Sequence, residues 1–74
     1  MRIEVGKAYK LQDGRDCFCY TKNESAFFII TKLRNMPHYD TFTVDEQGVV
    51  VNDREKAAFG ENILPFTVDS LEVF

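Results

Sequence analysis

Tyr9 and Leu11 alternate with Lys10 and Gln12 and run directly into Asp13-Gly14. Alternation with a period of two sorts side chains onto the opposite sides of an extended chain. Asp-Gly is one of the strongest short-range hairpin signals, because a type I′ turn needs positive φ at both central positions and these residues tolerate it. Residues 5–15 therefore read as a loop, a short strand and a tight turn. A chain that begins this way is constrained toward a small β-barrel built from hairpins.

The rest of the chain continues in the same style. Ile3 and Val5 alternate with Arg2 and Glu4, as the end of a half-buried strand does. Arg15 to Lys22 is a strand by composition, with Cys17, Cys19 and Thr21 on one face and Phe18 and Tyr20 on the other. Asn23-Glu24-Ser25 turns the chain into Ala26–Leu33, the most hydrophobic strand, apolar on both faces as a central barrel strand is. Pro37 breaks the pattern because it has no N–H to donate and restricts Met36 before it. Alternation resumes over Tyr39–Val44 with Phe42 and Val44 inward, and Glu46-Gln47-Gly48 leads to a short strand at Val49–Val51.

Residues 52–60 hold the only helical signal, at most one or two turns that Asp53 could cap and Gly60 could end, and an irregular loop is the competing reading of 53–60. Phe59 would have to pack inward to hold so short a helix. Leu64–Val68 reads as a further strand, followed by a turn at Asp69-Ser70 and a terminal strand, Leu71–Phe74, that could pair with the first.

Seventy-four residues make one domain, 1–74, with no linker and no repeat. A domain of this size buries only about 60% of its unfolded surface, so its aromatics are needed inside. Tyr9, Phe28, Phe42 and Phe66 are the expected core; Phe18, Tyr20, Phe27 and Tyr39 fall between core and display. No apolar run approaches the roughly 20 residues that span a bilayer, and the first residues lack a secretory pattern. The expectation is a cytoplasmic protein with no membrane partner. Cys17 and Cys19 point the same way from one strand and suit a reducing compartment.

Catalytic signals are weak. His38 is the sole histidine, and with the Cys17-x-Cys19 pair it gives three possible ligands where a structural zinc site takes four at paired spacings. No phosphate-cradling glycine loop and no nucleophile elbow occurs. The chain is read as non-enzymatic, without cofactor or metal. Its net charge is −3, yet residues 1–38 carry seven Lys/Arg against four acids and residues 39–74 carry two against eight. Lys7, Lys10, Arg15, Lys22, Lys32 and Arg34 could form a basic stripe for nucleic acid, but an acidic chain works against phosphate binding. Lys7, Lys10 and Arg15 are instead expected to meet the acids of the second half within the fold.

Val5-Gly6-Lys7-x-Tyr9-Lys10-x-x-Asp13-Gly14-Arg15, Val51-Asn52-x-Arg54 and Val68-Asp69-Ser70-Leu71 together resemble short proteins encoded by tailed bacteriophages and prophages. The chain departs from their pattern at Leu11-Gln12 and lacks a second Asp-Gly near Asn52. The resemblance implies an SH3-like barrel and transfers no catalytic residue. If the setting is a phage, the site of action is the host bacterial cytoplasm.

These readings converge on an all-β, mainly antiparallel fold, a small SH3-like barrel of five to six strands with at most one short helical turn. The expected function is non-catalytic protein binding, as a phage factor that binds and inhibits a host defence protein. Its candidate contact residues are Arg34, Met36, His38 and Tyr39 on the Pro37 loop, with Phe18 and Tyr20 on the second strand. An uncovered edge strand could also pair two copies. The alternative is a nucleic-acid-binding SH3-like or OB-like module.

Overall fold

The computed structural model describes residues 1–33 and 37–66. Its regular elements are the strands β1 (Ala8–Lys10), β2 (Asp16–Asn23), β3 (Ala26–Lys32), β4 (Tyr39–Val44) and β5 (Leu64–Pro65), and the helix α1 (Asp53–Phe59). The strands form one antiparallel sheet in the order β4-β3-β2-β1-β5. Among the described residues it does not close on itself. Two isolated bridges, Val44 with Val50 and Val49 with Asn62, carry backbone pairing beyond the end of β4. No helix among the described residues is long and apolar enough to cross a membrane.

Period two governs the strands. Tyr9, Cys17, Cys19, Phe27, Ile29, Phe42 and Val44 project to one side of the sheet and are buried. Ile3, Leu11, Val50, Phe59 and Ile63 close over them from the connecting segments. Ile3 belongs to no strand, contrary to the alternation around it, and is held by its N–H donating to the Glu46 carbonyl at 2.8 Å. Thr31, the one buried polar side chain among the described residues of this layer, donates its hydroxyl to the Asp16 carbonyl at 2.9 Å. The Tyr9 hydroxyl accepts from the Glu4 N–H at 2.9 Å, so no aromatic hydroxyl is stranded in the core.

The turns depart from expectation in a way that backbone sterics explain. Asp13-Gly14 does reverse the chain, but within a three-residue loop: Leu11 N–H bonds the Arg15 carbonyl at 2.8 Å and Gly14 N–H bonds the Leu11 carbonyl at 3.0 Å. Only Gly14 takes positive φ, 93°, so Asp13 escapes the left-handed region that a type I′ turn would impose on it. Glu46-Gln47-Gly48 repeats the arrangement, with Gly48 N–H on the Asp45 carbonyl at 3.0 Å. Gly48 is also required by space, since a Cβ there would lie 3.0 Å from Met1 Cε and 3.2 Å from both Ile3 Cδ1 and Ile63 Cγ1.

The helix forms where the composition allowed one, yet Asn52 caps it rather than Asp53. The Asn52 side chain accepts from the N–H groups of Arg54 at 2.9 Å and Glu55 at 3.4 Å. Gly60, with φ 94°, ends it. Phe59 is buried, its ring stacked on Phe42 at 4.3 Å. Val49–Val51 forms bridges rather than a strand, and the last described strand is limited to Leu64–Pro65. The turn at Asp69-Ser70 and the terminal strand Leu71–Phe74 lie outside the described residues.

Candidate protein-binding face

The side of the sheet opposite the core is built mostly by β2, β3 and β4. Phe18 pairs with Ile30, and Ile30 with Thr41, so these three side chains share that face, as do Lys32 and Tyr39 one step along. Between Cys19 and Thr21 the register slips: Cys19 faces Ile29 but Thr21 faces Phe28, leaving Tyr20 as an extra residue in a β-bulge. The slip moves Thr21 to the outer face, against the alternation expected of it. It also returns Lys22 to the core side, where its Nζ sits 5.7 Å from the centroid of the buried Phe27 ring.

The result is an outer face that carries Phe18, Tyr20, Phe28, Ile30 and Tyr39, with Thr21, Thr41 and Lys32 set among them. Phe18 is 42% exposed, Tyr20 44% and Tyr39 66%, whereas Phe28 and Ile30 between them are half-buried. The Tyr20 and Phe28 rings lie 6.5 Å apart in a tilted arrangement. Phe28, expected in the core, is instead a floor for this face, because β3 is apolar on both sides and only one side is covered. Phe66 is likewise half-buried, with Lys10 Nζ 5.6 Å from its ring.

Of the residues singled out from the sequence, Phe18, Tyr20 and Tyr39 come together here. His38 is exposed just before β4, its carbonyl accepting from Leu33 N–H at 2.8 Å. Arg34 and Met36 lie outside the described residues. Phe28, Ile30, Asp16 and Lys32 complete the face and were not anticipated; a strand apolar on both sides was the available signal for the first two.

No protein-family model, no curated protein and no solved structure matches the chain.

The charges near the face are largely committed. Lys10 Nζ lies 2.6 Å from Asp16 Oδ1, and Arg15 Nε 2.9 Å from Asp13 Oδ2. Arg15 also donates to the Lys32 carbonyl at 3.1 Å. Lys7 pairs with Glu4 at 2.8 Å, and their mutual hydrogen bond lowers the Glu4 pKa and raises that of Lys7. The partners are thus neighbours in the first half of the chain, not the acids of the second half. Three acids of the second half serve the backbone instead, while Glu61 pairs with Lys56 at 3.8 Å. Asp40 accepts from Thr41 N–H at 2.8 Å, Glu55 from Thr43 N–H at 3.1 Å, and Asp45 from the N–H groups of Gln47 at 2.8 Å and Val49 at 3.0 Å.

The two thiols are inert by environment. Burial pushes Cys17 up to about 12, with the Asp16 charge adding to it, and burial also raises Cys19. Among the described residues no three His, Cys, Asp or Glu side chains converge as a metal site would need. A depression of about 550 Å³, open to solvent, is lined by Arg2, Ile3, Glu4, Val5, Lys22 and Phe27.

Proposed function

We propose that this chain is a non-catalytic protein-binding module that works through the outer face of its sheet. The observation that carries the reading is the grouping of Phe18, Tyr20 and Tyr39 on one side of the sheet, each more than two-fifths exposed. A chain of this size has few large apolar groups, and one that displays three aromatics on one rigid surface forgoes their burial. Tyrosine and phenylalanine are the residue types that anchor protein interfaces. Held on strands, they are ordered before the partner arrives, which lowers the entropic cost of binding.

The resemblance to short phage and prophage proteins supports a host protein, a defence factor, as the partner and inhibition by occupancy as the action. The bridges from Val44 to Val50 and from Val49 to Asn62 extend pairing beyond β4 to the segment just before β5, which supports an SH3-like arrangement of the strands. The nucleic-acid alternative is weakened by the ion pairs of Lys7, Lys10 and Arg15, which leave fewer cations for phosphates.

Affinity capture from bacterial lysate, run beside the triple variant Phe18→Ala, Tyr20→Ala, Tyr39→Ala, tests the reading. A stoichiometric host protein lost in the variant is the expected result. Capture that is indifferent to the triple variant would overturn it.

A further inference from the structure

We propose that the outer sheet face is self-complementary and joins two copies of this chain in a face-to-face, two-fold dimer. The inference rests on the reading of this face as a protein contact and names a second copy as an occupant.

The register supplies the geometry. Phe18 is level with Ile30 across β2 and β3, and one residue pair beyond Cys17 and Thr31 the same register brings Asp16 level with Lys32. Consider a two-fold axis lying in the plane of contact and running along the strands between β2 and β3. Each residue of β2 then meets the residue of the partner's β3 at its own level. The exposed Phe18 ring meets the partner's Ile30, Thr21 with the bulged Tyr20 beside it meets the partner's Phe28, and Lys32 meets the partner's Asp16, each twice by symmetry. Stacked sheets whose strands run within about 30° of each other pack in this aligned manner.

The charges fit the same axis. Asp16 engages Lys10 through Oδ1 while 44% of its side chain stays exposed, and its other oxygen has no partner among the described residues. Lys32 forms no ion pair among the described residues. Each copy therefore presents one unspent cation and one half-spent carboxylate at the same level on adjacent strands, the arrangement a two-fold contact satisfies. Pairing through the β4 edge is less favoured, because Asp40 and Glu55 occupy the N–H groups of Thr41 and Thr43 and the Thr43 carbonyl accepts from Val51 at 3.3 Å.

Under this axis β1 lies against the partner's β4 and β5 falls outside the overlap, so strands β1 to β4, rising about 3.3 Å per residue and lying about 4.8 Å apart, give a contact face of roughly 380 Å² per copy. The total of about 760 Å² is the area of a weak, transient contact rather than of a permanent dimer. The dimer is accordingly expected to exchange readily, and a tighter protein partner can displace the second copy.

Sedimentation equilibrium of the full chain from about 1 µM to 1 mM tests this. The weight-average mass should rise from 8.6 kDa toward twice that value, and Phe18→Glu should weaken association at least about tenfold at unchanged circular dichroism. Lys32→Glu and Asp16→Lys should each impair self-association, and an equimolar mixture of the two variants should restore it, since both cross-copy pairs are then attractive. A chain that stays monomeric throughout overturns the proposal, as does a dimer indifferent to Phe18→Glu or a mixture that fails to associate. A monomer in which Tyr20 and Tyr39 resist iodination also overturns it, showing the face covered within one chain. Lysate capture with Phe18→Glu separates the two failures: a monomer whose capture is lost leaves the protein-binding reading standing, and one whose capture is unchanged ends both.

Discussion

Burial keeps the Cys17 thiol neutral in the folded chain up to about pH 12, whereas an unfolded cysteine ionises near pH 9. Above the unfolded value the unfolded chain binds fewer protons than the native one, so stability falls as pH rises from about 9 toward 12. Cys17 contributes about 1.4 kcal/mol per pH unit to that slope. Urea titrations of Cys17→Ala beside the parent should show a shallower decline over this window. Two further residues carry measurable backbone roles. Asn52→Ala removes the helix cap and should lower stability by about 1 kcal/mol. Glu24 holds φ 57° in the turn between β2 and β3, a conformation that costs an L-residue about 1–2 kcal/mol. Glu24→Gly relieves that strain, less the added freedom of the unfolded chain, and should raise the urea midpoint by the equivalent of about 0.5–1 kcal/mol.

Strands were the elements most readable from the chain, because a period of two survives even in short runs; β4 was expected over the very residues it occupies. Two kinds of feature stayed hidden. A bulge leaves no periodic trace when the residue after it is threonine, which suits either face, so the slip at Tyr20 was unreadable. Coverage of a strand's second side depends on elements distant in sequence, so Phe28 and Ile30 looked like core and proved to floor an open face. The helix was legible in composition but not in its cap, since Asn52 and Asp53 are both competent and only the entering backbone decides between them. Its packing is specific: Phe59→Ala removes the ring stacked on Phe42 and should cost about 3 kcal/mol in urea unfolding. At the β4 edge, the double variant Asp40→Ala, Glu55→Ala uncovers the N–H groups of Thr41 and Thr43. Such an edge templates pairing, and the variant should bind thioflavin T on prolonged incubation while the parent does not.

Across the whole molecule, charge is used locally and apolar surface asymmetrically. Basic residues near the turn of the first hairpin pair with acids a few positions away, and acids of the second half cap backbone N–H groups. This predicts no mobility shift with single- or double-stranded DNA at about 50 mM salt, where phosphate contacts are strongest. A shift that weakens steeply with salt would reverse the ranking of the two functional readings. The bulge in β2 has a consequence for the length of the chain itself. With Tyr20 excised, Cys19 would still face Ile29 and Thr21 would still face Phe28, so the ladder closes perfectly well one residue shorter. Tyr20 is thus a supernumerary residue, dispensable to the fold and present only as a ring on the surface. Deleting it, ordinarily a ruinous change in the middle of a strand, leaves a folded protein and tells directly what that ring is for.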